Sequence, residues 1–504
     1  MNPLSALPPL RLTVNASSVS TVTMQALLEV QVRQALSAPS LCELVFAGPA
    51  AKLRSDQLLP GSSLTLDTGE GEPLFTGQIT ALDYIYAPDS GQQLRVRAYD
   101  ALHSLRKRQP VRVHVEVTLA DLARELTADL GVEVRQEQAS PLWKRVFQHR
   151  QSDLELLVDL AGRCGQYLAL RGETLHLLTL EGSGDAVSLK LGDSLFEARV
   201  EVSGEPACSS VMASGWSATR LEGFRGLALD PRLGRDPRGA VPPQDLGSDG
   251  ARTLTDEGAQ DNDHALGLAQ AELDLRCARE VSLWGIAEGN SLLRPGVPVE
   301  VAGLDAQLPD RYVLASVLHT IDRRKGYVSE FSTLPPAPRV RAKAAMASPG
   351  VVSRVDDPEG LGRVKVKLTS YENLETDWMG VLSPGAGGKK GFIMIPDVND
   401  QVLVLFAHED PGQGVVLGGM FGVNAPPDAG VEGGAVRRFT LLTPGGQRIR
   451  LDDGRNAIHI EDSTGSYMEF SPEQVRLHCK VGMTLEAPGL PIVIQGKSID
   501  FKEA

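Results

Sequence analysis

The chain has 504 residues, and because single cores stop growing at about 250 to 300 residues, several domains are expected. Its 64 Asp and Glu outnumber 50 Lys and Arg, giving a formal charge of −14; this argues against an overall electrostatic grip on nucleic acid or an anionic membrane. With 51 Gly, 32 Pro and only 5% aromatic residues, many turns and short strands are expected, hence a mainly β fold. The opening MNPLSALPPLRLTV lacks the basic head and apolar run of a secretory signal. No stretch approaches the ~18 apolar residues that span a bilayer, so assembly in the cytosol is expected. Cys42, Cys164, Cys208, Cys277 and Cys479 are far apart and form no C-x-x-C pair, which indicates reduced, mostly buried thiols rather than a disulfide framework or zinc site.

The first hundred residues alternate as strands do, at Leu64-Thr65-Leu66-Asp67, Phe75 to Ile79 and Leu94 to Tyr99, with turns at Pro60-Gly61 and Pro88 to Gly91. This predicts a first barrel-like domain over 1–115. A helical α+β insert over 116–190 follows. Its first helix has Thr118 as N-cap, an apolar stripe through Leu119, Leu122, Leu126 and Leu130, and Gly131 as stop; a second starts at Ser152 and ends at Gly165. Arg171-Gly172-Glu173 reads as a hairpin between two short strands. Strand patterns resume from Gly192, giving a second barrel-like domain over 191–335, with a helix from Asp263 to Arg279. Residues 222–250, rich in Gly, Pro, Arg and Asp and poor in apolar periodicity, read as a long surface loop.

Pro335-Pro336-Ala337-Pro338 and the basic run after it predict a stiff, exposed linker over 336–348. Over 349–425, strand signals at Gly350–Ser353, Gly362–Leu368, Met379–Leu382, Phe392–Ile395 and Gln401–Phe406, with Val415–Leu417 besides, fit a five-stranded OB-type barrel. From 436 to 504 short alternating strands follow one another: Arg448 to Asp452, Ala457 to Glu461, Tyr467 to Phe470, Val475 to His478, Met483 to Glu486 and Ile492 to Ile494. Each gives one or two apolar residues to a face, and nothing in the segment could cover that face. A core built from several identical chains, an intertwined β-prism, is the physical solution. Its predicted core is Ile449, Leu451, Ile458, Ile460, Met468, Phe470, Val475, Leu477, Met483 and Leu485.

The run Gly350-Val-Val-Ser-Arg-Val-Asp-Asp-Pro-Glu-Gly-Leu-Gly-Arg-Val-Lys-Val-Lys-Leu, with Thr376-Asp-Trp-Met-Gly-Val-Leu-Ser-Pro-Gly-Ala-Gly, Gly391-Phe-Ile-Met-Ile-Pro-Asp-Val-Asn-Asp-Gln-Val-Leu-Val and Gly418-Gly-Met-Phe, resembles the OB-fold domain of VgrG proteins and phage baseplate spikes. Residues 1 to about 335 resemble that family's hub and the C-terminal strand run its trimeric β-helix, so the resemblance covers nearly the whole chain. Within the family the wording is closest to spikes of extracellular, phage-tail-like injection systems, with type VI secretion and phage tail spikes as alternatives.

The resemblance implies a homotrimeric hub and needle. It would meet a hexameric inner-tube protein and baseplate proteins, carry a PAAR-type tip protein and effector cargo, and touch a target membrane only on firing. The particle would be released or membrane-anchored, and the spike exported on firing. At the apex, Ile492, Ile494, Ile499 and Phe501 either dock the tip protein or close the prism core.

Catalytic, cofactor and metal sites are not expected. The nine histidines form no H-x-H or H-x-x-x-H pair, and three copies of His459 or His478 on a threefold axis are the one metal arrangement left to weigh. Gly496-Lys497-Ser498 lacks P-loop spacing, Gly385 to Gly391 misses the dinucleotide pattern at Lys390, and G-x-S-x-G and H-E-x-x-H are absent. The pairs Asp356-Asp357 and Asp452-Asp453 read as turn formers. Two readings from other classes are a cell-wall hydrolase, which needs a pocket of acid and base groups, and a free trimeric adhesive fibre, which needs a distal knob.

Overall fold

The computed structural model describes residues 8–48, 58–69, 72–88, 91–217, 222–337, 345–422 and 424–502. The fold is mainly β and divides into two units, 1–419 and 420–504. Most of the predicted linker, residues 338–344, lies outside the described residues; its last positions already belong to the strand Met346–Arg354.

Strands of both predicted hub domains join in one 11-stranded antiparallel sheet. Each half repeats one order. In the first, Leu27–Ala35, Leu41–Ala47, Phe75–Ala87 and Gly91–Tyr99 lie in the sheet as first, second, fourth, third. In the second, Leu195–Val202, Val281–Glu288, Ser316–Asp322 and Gly326–Ser332 do the same. The halves meet where the third strand of the second pairs with the first strand of the first, from Ser316↔Ala35 to Asp322↔Glu29. Each half has its own core, around Val32, Leu44, Phe46 and Val96 in one and Leu283, Tyr312, Val317 and Phe331 in the other.

Asp100 closes the last strand of the first half. It caps the 3-10 helix Ala101–Lys107, accepting from the Leu102 amide (3.1 Å) and the Ser40 amide (2.7 Å). Burial pushes its pKa up to about 6, against these hydrogen bonds, which pull it down. A carboxyl whose folded pKa lies above its unfolded value binds more protons folded than unfolded, so stability is full below about pH 4 and falls as pH rises towards 6. Asp100→Asn keeps an acceptor and removes the titration. Thermal unfolding of the variant is expected to miss a loss on the order of 2 kcal/mol between pH 4 and 7 that the parent shows. Parallel pH profiles for the two would contradict the burial of this carboxyl.

The insert forms as its local signals require. Thr118 caps Leu119–Thr127 and Ser152 caps Asp153–Arg163, each in a reciprocal capping box with Asp121 and Glu155. Gly172, at φ +54°, turns the hairpin between Tyr167–Arg171 and Thr174–Leu178.

Residues 222–250 depart from expectation. The first seven, Glu222–Ala228, form a strand paired with Ser210–Ser217 and packed beneath the helix Asn262–Glu280. Gly226 is what lets the two approach: a Cβ there would sit 2.1 Å from the Leu266 amide nitrogen. Over residues 229–242 there is no regular element, and three arginines hold the path instead. Arg232 grips the buried Asp274 through its own amide (2.7 Å) and its Nε (2.8 Å), and reaches Gln138 (2.7 Å) and the Cys164 carbonyl (3.0 Å). Arg235 donates to the Cys277 carbonyl and lies 3.8 Å from Glu280, while Arg238 pairs with Asp236 and Asp310.

Residues 345–419 form a six-stranded sheet wrapped round Val352, Val364, Val366, Val402, Val404 and Phe406. The expected strand at Phe392–Ile395 is not there: the segment pairs with no described strand and its side chains are exposed. Asp357, expected in a turn, is the centre of one. It accepts from the amides of Glu359 (3.2 Å), Leu361 (3.0 Å) and Arg363 (3.3 Å) and is clamped by the Arg363 guanidinium at 3.0 and 2.7 Å. That clamp holds its carboxyl well below the usual range.

Candidate assembly interface

Residues 424–502 hold a five-stranded antiparallel ribbon in simple meander order: Arg438–Leu442, Arg448–Asp452, Ala457–Glu461, Tyr467–Phe470 and Val475–His478. Strict alternation sorts the residues onto two faces. One face carries two apolar rows in register across all five strands. Phe439, Leu451, Ile458, Phe470 and Val475 make the first, and Leu441, Ile449, Ile460, Met468 and Leu477 the second.

The opposite face is polar and pairs with itself. Thr440, Arg450, His459, Glu469 and Arg476 form one row, and Arg448, Glu461, Tyr467 and His478 lie in the next. Arg448 lies 3.6 Å from Glu461, and His459 lies 3.6 Å from Glu461 and stacks on Tyr467 with ring centres 5.1 Å apart. Asp428 anchors the edge of this face, accepting from Arg438 (3.2 Å), the Gly430 amide (2.9 Å) and Thr440 (3.0 Å); these bonds hold its carboxyl well below the usual range.

The contrast between faces defines the site. The polar face meets its own needs, whereas no described residue of 424–502 covers the apolar one: Ile449, Leu451, Ile458, Ile460 and Phe470 keep 41 to 45% of their surface exposed and Val475 68%. In the first unit, core residues of the same types are at most 9% exposed. Eight of the ten expected core residues thus fall on one face, together with Phe439 and Leu441, which the expected core omits although Phe439-Thr440-Leu441 carries the same alternation. Met483 and Leu485 do not join it. Neither they nor Ile492, Ile494, Ile499 and Phe501 lie in any strand, and Phe501 is 91% exposed. The strands expected at Met483 and Ile492 are absent from the single chain, because alternation alone supplies no neighbouring backbone to pair with.

Among the described residues no group of three or more His, Cys, Asp or Glu is placed to hold a metal, and no helix is long and apolar enough to cross a membrane. His319, the most deeply buried histidine, is bound to Ser329 (2.9 Å) and the Leu293 carbonyl (3.0 Å), and burial pushes its pKa down to about 3. A groove between the insert and the OB-type barrel holds His149, Glu155, Asp159 and Glu409, but Asp159 is paired with Arg163 at 3.1 Å. Cys42, Cys164, Cys208 and Cys277 are buried and free, Cys479 exposed.

Residues 348–421 match the family model of the type VI secretion system/phage-baseplate injector OB domain, and residues 11–323, more than half the chain, match that of the Alg8 N-terminal domain. The chain belongs to the Alg8 N-terminal domain family, and its likenesses are to VgrG-type baseplate spike proteins. Over 179 residues it is 28% identical to the type VI secretion system spike protein VgrG4b of Pseudomonas aeruginosa, covering 32% of this chain and 21% of that one. Over 252 residues it is 24% identical to the actin cross-linking toxin VgrG1 of Vibrio cholerae, covering 43% and 22%. The match therefore spans about a fifth of each curated relative's length.

Among solved structures, a chain of the half-lidded Francisella PdpA-VgrG complex aligns with a TM-score of 0.55 at 9% identity, over 94% of this chain and 88% of that one. An E. coli type VI secretion component described as similar to the T4 tail proteins gp27 and gp5 aligns at 0.53 and 13%, over 81% and 99%. These likenesses establish a shared fold. Together the comparisons support a spike-type structural role of the type VI secretion and phage-tail class.

Proposed function

We propose that three copies of this chain form the central spike of a contractile injection system: a hub that caps the inner tube and a needle that pierces the target membrane on sheath contraction. The observation that carries this reading is the uncovered apolar face of the ribbon. Ten side chains in two registered rows, eight of them 41 to 68% exposed, would contribute on the order of 1 kcal/mol apiece on burial. A ribbon this thin has no element of its own to supply that cover. Three ribbons closing their apolar faces on one axis satisfy it and leave the self-paired polar faces outward, a closed symmetric arrangement that resists unravelling.

Support for a hub ring comes from the internal repeat. Inside the chain the third strand of one half pairs with the first strand of the other. The matching pair stays open: Leu195–Val202 is an edge strand, and residues 80–87 of Phe75–Ala87 have a strand partner on one side only. Repeating the internal joint between copies closes a ring of six similar halves, the symmetry a hexameric tube protein would meet. Such a spike is a structural component and not an enzyme, assembles in the cytosol and leaves it with the particle.

The strand-free end, with Ile492, Ile494, Ile499 and Phe501 exposed, is the docking point for a PAAR-type tip protein. Titration of that partner is expected to saturate at one per three chains. Ile492→Asp with Ile494→Asp should weaken it at least about tenfold, the cost of placing carboxylates in an apolar contact, without changing the mass of the spike. Undiminished binding by the double variant would move the docking site elsewhere.

A further inference from the structure

We infer that a second apolar surface, on the OB-type barrel, is built to lie against a neighbouring copy of this chain. It rests on the trimer reading above and adds a contact that reading does not contain. The surface consists of Leu361, Leu382 and the run Phe392-Ile393-Met394-Ile395, with exposures from 43% at Ile395 to 82% at Ile393. Scattered exposed apolar residues are ordinary, but four consecutive ones beside two more are a patch of the kind that marks contact sites.

The patch is held in place from beneath rather than hanging free. The Phe392 amide donates to the Pro384 carbonyl (3.0 Å), the Asp397 amide to the Asp400 carboxylate (2.8 Å) and the Asn399 amide to the Val352 carbonyl (2.9 Å), so both ends of the run are tied to the barrel. Ile395 lies over Gly362, where an added Cβ would come within 3.1 Å of its Cδ1. Leu361 is projected by the Asp357–Arg363 clamp, which fixes the turn bearing it. A rigid apolar surface loses little conformational entropy on contact, which is what a permanent interface needs.

Two features point to another copy as the occupant. The run is flanked by exposed Lys389 and Lys390 on one side and exposed Asp397 and Asp400 on the other. Opposite charges at the two ends suit a head-to-tail contact, in which the basic end of one copy meets the acidic end of the next, the geometry that closes rings. The tether adds to this. From Gly419 to Asp428, which Arg438 already holds to the ribbon, is 9 residues, an extended reach of about 30 Å at ~3.4 Å per residue, so joined ribbons keep three such barrels at high effective concentration.

The test is thiol accessibility in the full-length chain. Ile393→Cys is made in a Cys479→Ser background, which leaves only buried native thiols, and the maleimide labelling rate is compared with that of Val355→Cys, outside the patch. In the trimer, labelling at position 393 is expected to be at least about tenfold slower than at 355, and to recover when Ile449→Asp and Ile460→Asp separate the chains. Fast labelling at 393 in a confirmed trimer overturns the inference alone and leaves the patch open to a cargo protein or tip. A wild-type chain that proves monomeric by mass removes the trimer reading and this contact together.

Discussion

Ile449→Asp combined with Ile460→Asp is expected to convert the full-length spike from trimer to monomer. The two residues face each other directly across adjacent strands in the second apolar row, and in the closed prism both point at the axis. Each substitution removes an apolar side chain and puts a carboxylate where water is excluded, at a cost of roughly 3 kcal/mol or more. Threefold symmetry applies it three times per position. The sum, roughly 18 kcal/mol per trimer, removes more than half of the on-the-order-of-30 kcal/mol that the rows of three chains contribute by the same arithmetic, and leaves about what association itself costs. The first unit keeps its own cores, so far-ultraviolet circular dichroism should stay close to that of the parent while the sedimentation coefficient drops. A variant that stays trimeric would place the apolar face somewhere other than the threefold core. Arg450→Ala, on the polar face, serves as the control and should leave the mass unchanged.

Arg232→Ala is the second large effect expected. Asp274 is almost wholly buried, and burial raises its carboxyl pKa against the pull of Arg232 and the surrounding hydrogen bonds. Without the guanidinium, a buried carboxylate is left with Gln270 as its remaining side-chain partner, at 2.8 Å, and the Cys164 carbonyl loses its donor. Removing one member of a buried pair costs about 3 to 5 kcal/mol. The loss should appear locally. Residues 229–242 have no ladder of their own, so a protease is expected to cut there at least about tenfold faster, with cleavage elsewhere unchanged. Arg232→Lys should recover little, since a single ammonium cannot span Asp274, Gln138 and the Cys164 carbonyl at once. Cleavage at the parent rate in Arg232→Ala would mean the segment is held by other contacts.

What could be read from the sequence depended on how local its cause was. The two insert helices follow from Thr118 and Ser152 and the acids three residues on, because a capping box needs nothing outside its own turn. The strand at Glu222–Ala228 was illegible: Gly223 and Gly226 erase the alternation, and the reason for Gly226 is the helix laid across that strand. The three arginines that follow look like surface charge until Asp274, Glu280 and Asp310 are seen beside them. The joining of the two hub halves through Ser316–Asp322 and Leu27–Ala35 was equally out of reach, since pairing partners nearly 300 residues apart leave no mark in either segment.

The errors at Phe392–Ile395, Met483 and Ile492 run the other way. Apolar alternation reports that a face will be covered, not by what, and in all three places the single chain offers no cover. The candidate interface was legible for the same reason. Rows such as Ile449-x-Leu451 and Ile458-x-Ile460 announce an apolar face by alternation alone, and the fold adds that their own ribbon leaves it bare. Phe439 and Leu441 were missed only because the first strand of the ribbon precedes the stretch where the repeat is most regular.

The central claim is that this ribbon is completed by two more copies of itself. Static light scattering of the purified full-length chain, beside a form ending near residue 423, tests it most directly. The account predicts a mass of three times 54.0 kDa for the full chain and a smaller, concentration-dependent mass for the shortened one. A full-length chain that holds a single 54.0 kDa mass across the concentration range would contradict it.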